Sequence, residues 1–188
     1  MAVDRERVEA AVRELLAAIG DDPEREGLTD TPRRVATAYD EYFAGVGVDP
    51  TAQLTTLGLD GETGELVLLR DIEFRSMCEH HLLPFTGVAH VAYLPGDRIT
   101  GLGRIPAVVD VVASRPQIQE RLTDEIADAL EAGLEPRGVL VVVEAAHGCV
   151  AARGQRQAKS TAVTMASRGE LAKPIERAEI MALIGERR

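Results

Sequence analysis

Apolar residues recur at helical spacing near the start of the chain. Val8, Val12, Leu15, Leu16 and Ile19 fall near one face of a helix predicted over residues 4–19, with Asp4 to cap it and Gly20 to end it. After the break at Asp21-Asp22-Pro23, Thr31 followed by Pro32 predicts an N-cap and first helical position, and a second helix running to about Tyr42. Residues 44–64 are rich in Gly, Asp and Thr and read as a loop. A strand is expected over 66–74, a tight connection over 78–84, and a second strand over 88–94 that Pro95-Gly96-Asp97 ends. Helices follow over 106–113 and from near Pro116 to about Glu131, where Ile118, Leu122, Ile126 and Leu130 recur every four residues. Residues 139–143 are apolar and largely β-branched and open a buried strand that continues towards Cys149. Thr and Val in 151–168 suit a last strand, and 174–184 a short C-terminal helix. The order of helices, hairpin, helices, hairpin is an α+β pattern with antiparallel pairing, without internal repeats.

A length of 188 residues fits one domain with appendages and is enough to bury a sizeable core. The apolar fraction of 45% is ordinary for a globular protein, and no apolar run approaches the ~20 residues of a membrane span. The N-terminus is charged from the start and has no apolar segment of a secretory signal, so the expected location is the cytoplasm and no membrane partner is expected. With 31 acidic and 21 basic residues the formal charge is -10, and the cations form no stripe, which argues against nucleic acid. An anionic small molecule would need a few arginines converging locally.

Chemistry is concentrated in two short segments. Cys78-Glu79-His80-His81 sets a thiol and an imidazole three residues apart, a spacing from which both reach one ion. His147-Gly148-Cys149 is expected at the end of a strand, where residues two apart share a face. Together the segments offer both cysteines of the chain and three of its four histidines. In a reducing compartment distant cysteines beside histidines point to metal or catalysis rather than a disulfide, and thiolate with imidazole favours zinc. Three of the five groups suffice for a catalytic site with a fourth position open, and the remaining histidines are then free to move protons near neutral pH. A structural zinc site with four protein ligands is the competing reading; it predicts Cys-x-x-Cys pairs, which the chain lacks.

Ser76-Met77-Cys78-Glu79-His80-His81-Leu82-Leu83-Pro84-Phe85 resembles the zinc-site signature of GTP cyclohydrolase I. Arg115-Pro116-Gln117-Ile118-Gln119-Glu120-Arg121-Leu122-Thr123 is similar to that family's second signature, and Val143-Glu144-Ala145-Ala146-His147-Gly148-Cys149 with Ala152-Arg153-Gly154 to its third. Thr31-Pro32-Arg33-Arg34-Val35-Ala36 resembles a motif near its N-terminus, and the matches run in order over roughly residues 1–185. The resemblance implies a tunnelling (T-fold) antiparallel sheet with helices on one face and an N-terminal helical extension. It divides the chain into a helical region and loop, 1–64, and a catalytic domain, 65–188, assembled into a homodecamer with sites between subunits. It implies hydrolytic opening of the guanine imidazole ring of GTP at C8, loss of formate and closure to 7,8-dihydroneopterin triphosphate, the first step of tetrahydrofolate and pterin biosynthesis. Carried over by position, the ligands of Zn(2+) are Cys78, His81 and Cys149, and the proton-transfer residues are His80 and His147. Gln119, Glu120, Arg153, Arg104 and Arg34 are the expected substrate-binding residues, with Glu120 accepting from the guanine N1–H and amino group.

The departures lie on the phosphate and ribose side. Gly101-Leu102-Gly103-Arg104 stands where the family usually reads Gly-Leu-Ser-Lys; Ala107 replaces a basic residue, and Thr37 stands where a lysine is common. Each lost charge-assisted contact weakens binding by about 1.5–3 kcal/mol. Arg156 and Arg168 lie near Arg153 in sequence and are the candidates to compensate. Two alternatives follow: a paralogue acting on another guanine nucleotide, and a non-catalytic oligomeric scaffold that keeps zinc for folding.

Overall fold

The computed structural model describes residues 3–59, 64–153 and 157–185. Helix α1 (Arg5–Ala18) starts at Asp4, whose carboxylate accepts the Arg7 N–H at 3.1 Å, and stops before Gly20, which takes a φ of 92°. Helix α2 (Thr31–Tyr42) packs against it. Asp30, not Thr31, occupies the N-cap position; proline lacks only an N–H that the whole first turn leaves unpaired, so Pro32 sits one place further in than expected. The 44–59 stretch is not featureless. It holds a 3-10 turn (Pro50–Gln53) and a short strand β1 (Thr56–Gly58), while 60–63 lie outside the described residues.

Strands β2 (Val67–Cys78) and β3 (Pro84–Leu94) form the first hairpin, each about four residues longer at the cysteine end than the apolar pattern suggests. The extension is stabilised by Ser76, buried and donating to the Ala113 carbonyl at 2.7 Å. A bulge between Leu69 and Ile72 puts Asp71 at a φ of 57°, and its N–H donates to His90 Nδ1 at 3.2 Å. Strand β4 (Arg98–Thr100) pairs with β1 in a separate ribbon, and helix α3 (Arg104–Ala113) follows. Pro116-Gln117 was expected to open a helix. It forms instead β5 (Pro116–Gln117), parallel to the end of β2 with Cys78 opposite Gln117. Helix α4 (Gln119–Leu134) therefore starts at Gln119 and runs to a left-handed Glu135. Strand β6 (Gly138–His147) ends at His147, so Cys149 lies not on the strand but on the single turn α5 (Gly148–Ala151). Strand β7 (Ala162–Gly169), a 3-10 turn and helix α6 (Pro174–Gly185) complete the described chain.

The five-stranded sheet has the order β5-β2-β3-β6-β7 and is antiparallel except for the β5–β2 pair. This is the α+β architecture expected. The main core lies between one sheet face (Val91, Tyr93, Val139, Val141, Val143) and the apolar sides of α3 and α4, among them Val108, Leu122, Ile126 and Leu130. Helices do not keep to that face. Ile180 and Met181 of α6 pack on Ala92, Leu140 and Val142 on the other side, which is why the inner strand β6 is apolar at successive positions. No helix among the described residues is long and apolar enough to cross a membrane.

Candidate metal centre

The end of β2 and the end of β6 flank the start of β3, with Phe85 paired to His147. That register carries α5 up to the β2–β3 turn. Gly148 permits the approach, since a Cβ there would stand 2.7 Å from the Pro84 carbonyl oxygen. The turn itself is closed by Leu82 N–H to Cys78 O and Cys78 N–H to Leu83 O, both 2.9 Å, with Leu82 at a φ of 50°. As a result one donor atom each from Cys78, His81 and Cys149 lies within 4.8 Å of the other two. Cys78 is buried, Cys149 half-buried and His81 exposed, so the cluster opens to solvent on the imidazole side. Burial pushes the Cys149 thiol up, and the neighbouring Cys78 adds to the effect. Two neighbouring thiols with an imidazole beside them are a donor set that a soft divalent cation satisfies by taking both as thiolates.

His147 stands next to the cluster with its ring fixed in two directions. It stacks on Phe85 with centroids 4.6 Å apart and planes 8° apart, and its Nε2 lies 2.7 Å from Gln119 Oε1. Burial lowers its pKa below the usual imidazole value, against an opposing pull from Glu120. Gln119, expected to touch substrate, is 3% exposed, and its amide nitrogen donates to the carbonyls of Val143 (3.0 Å) and Ala162 (2.9 Å). Both amide N–H groups are engaged within the chain, which leaves neither to donate to a ligand. His80 is exposed at the rim, 3.8 Å from Glu79, with its ring 6.4 Å from that of His81.

Glu120 is exposed in the first turn of α4 and makes no ion pair among the described residues. Arg104 opens α3, Arg34 sits on α2 beside Asp30 at 3.4 Å, and Arg153 follows α5, close enough to favour the Cys149 thiolate. No hydrogen bond or ion pair among the described residues joins Arg34 or Arg104 to the cluster. Arg168, a candidate to compensate for missing phosphate contacts, is engaged by Asp124 at 3.0 Å and Asp128 at 2.7 Å, so that expectation is withdrawn; Arg156 lies outside the described residues. Two neighbours of the site were not singled out from sequence: Phe85, which stacks on His147, and Arg121, which pairs with Glu79. The opposite charges of Glu79 and Arg121 inside two adjoining motifs were the one available signal.

Fold and site together define an α+β protein with a three-donor thiol–imidazole cluster able to take a metal ion. The chain belongs to the GTP cyclohydrolase I family, whose model matches residues 8–185. It is 62% identical over 183 residues to GTP cyclohydrolase 1 of Leifsonia xyli subsp. xyli, covering 97% of this chain and 96% of that one. It is 55% identical to GTP cyclohydrolase 1 of Streptomyces griseus subsp. griseus, over 97% of this chain and 92% of that one. For GTP cyclohydrolase 1 of Carboxydothermus hydrogenoformans the identity is 54%, over 97% and 96%.

Proposed function

We propose that this chain hydrolyses GTP at C8 of the guanine ring, releases formate and forms 7,8-dihydroneopterin triphosphate, with Zn(2+) held by Cys78, His81 and Cys149. The observation that carries the reading is the convergence of those three donors within 4.8 Å from segments far apart in the chain. Bound there, zinc supplies the Lewis-acid chemistry that makes water a nucleophile near neutral pH. The chain's own groups do the rest. N7 gains a proton as C8 is attacked, and His80 and His147 are the imidazoles to which we assign its transfer. Glu120 offers two acceptor oxygens to the guanine N1–H and amino group, an edge that adenine lacks, and its lack of an ion-pair partner among the described residues favours that role. Arg153, Arg104 and Arg34 bind the triphosphate. Gln119 serves His147 rather than the substrate.

The wider reading is a T-fold catalytic domain over 65–188 behind a helical region of 1–64. It is assembled as a homodecamer, works in the cytoplasm and opens tetrahydrofolate and pterin biosynthesis. A second reading, preference for a guanine nucleotide with fewer phosphates, is favoured by Gly103, which offers no hydroxyl although a Cβ there would meet no other part of the chain within 4 Å, and by Thr37, whose hydroxyl donates to the Arg33 carbonyl. Formate release from GTP, GDP and GMP, measured side by side on zinc-loaded protein, tests both. GTP is expected to be turned over best; a GDP or GMP preference replaces it with the second reading, and no formate from any of the three rejects the activity.

A further inference from the structure

We infer that Arg121 is a positioning residue for the metal centre, locking the turn that carries Cys78 and His81 onto the start of α4 through Glu79. The inference rests on the zinc reading above. Its basis is a guanidinium surrounded by fixed acceptors. Arg121 Nε donates to Gln117 Oε1 at 2.9 Å, and Nη2 donates to Glu79 Oε2 at 2.5 Å and to the Pro116 carbonyl at 3.1 Å. Gln117 is itself oriented, because its amide nitrogen donates to Glu125 at 2.8 Å and to the Val112 carbonyl at 3.2 Å; the amide oxygen is thereby turned to Arg121. The fork of the arginine has one orientation available, and it points at the turn.

The turn depends on being held. The Glu79 N–H donates to the Gln117 carbonyl at 3.0 Å, tying the backbone to the same strand–helix junction that anchors Arg121. Two residues on, His81 is exposed, and Leu82 adopts a left-handed φ of 50° that an L-residue takes at a cost. Of the three donors, His81 is the one that no core packing holds. Untying Glu79 frees the turn to relax and carries the imidazole away from the two sulfurs. A partly exposed ion pair adds little to global stability, so its effect is expected at the metal rather than in folding.

The test uses the full-length, zinc-loaded protein and a chromophoric chelator, with Arg121→Met, Glu79→Gln, Arg121→Lys and the Met/Gln double variant. Each of the first two is expected to raise the zinc dissociation constant by about 10–100-fold, the range seen when groups supporting a ligand are removed. Thermal unfolding of the metal-free proteins should stay nearly unchanged. The double variant should lose no more than the more affected single one, since both substitutions break the same Glu79–Arg121 contact. Arg121→Lys should recover only part of the affinity, because an ammonium lacks the fork that serves Glu79 and Gln117 together. Zinc affinity within about two-fold of the parent in both single variants, or additive losses in the double, overturns the inference. A parent that takes up no zinc instead rejects the metal reading on which it stands.

Discussion

At the scale of single residues the site is organised by side chains that hold one another. Gln119 donates to carbonyls on two different strands, and this fixes which end of its amide faces His147. Neutral His147 therefore carries its proton on Nε2, and Nδ1 is the nitrogen left for other partners. Gln119→Met keeps the length and apolar stem of the side chain but removes the acceptor. We expect kcat for formate release to fall at least about 10-fold with KM for GTP nearly constant, because the loss is in orientation of a proton-transfer group. A rise in KM at constant kcat would instead make Gln119 a substrate contact. The motif containing Gln119 was legible in the sequence; its orientation was not. Its partners lie 24 and 43 residues away, on strands whose register only the folded sheet sets. For Cys78, His81 and Cys149 the situation is the reverse. Their chemistry limits what they can do together, so a thiol–imidazole cluster was readable before the geometry was known, while the choice of these three among the five groups rested on the family resemblance.

Among elements, α4 does the most. Its inner face fills the main core, and its first turns hold the site. The four-residue recurrence of Leu122, Ile126 and Leu130 identified that face from sequence, and all three are fully buried. The ends of elements were less readable, for physical reasons. Pro116-Gln117 reads locally as a helix start, but pairing with β2 takes it for the sheet, a contact that periodicity does not encode. The N-terminal helix shows the opposite limit: its amphipathic pattern is correct, yet Leu15 and Ile19 remain 59% and 69% exposed, so a stripe of apolar residues predicts a helix without saying what covers it. Ile126→Ala should lower the unfolding free energy by about 2–5 kcal/mol, since the rigid sheet beneath it cannot close the cavity. Denaturant titration of the metal-free protein measures this. A loss under about 1 kcal/mol would mean that α4 packs more loosely on the sheet than its burial indicates.

For the whole molecule, a formal charge of -10 means that an anionic nucleotide is attracted only locally. Several arginines are already engaged by carboxylates: Arg115 by Glu125, Arg121 by Glu79, Arg137 by Glu170 and Arg168 by Asp128. Arg104 and Arg153 are exposed and make no ion pair among the described residues. If the cluster holds zinc in the native state alone, metal binding and folding are linked. Treatment with a chelator should then lower the midpoint of thermal unfolding, and zinc, but not magnesium, should restore it; equal midpoints in all three conditions would remove that linkage. The two sulfurs also sit 149 − 78 = 71 positions apart along the chain, with β3, α3, α4 and β6 threaded between them. An ion shared by both would therefore act as a removable rivet between distant segments, and because only the folded chain holds it, its contribution comes from binding to the native state and not from restricting the denatured chain. The rivet cannot be set early. Its two halves meet only when β3 has been clamped between its neighbours, so during refolding the rate of ion capture should report how quickly the central strand finds its place.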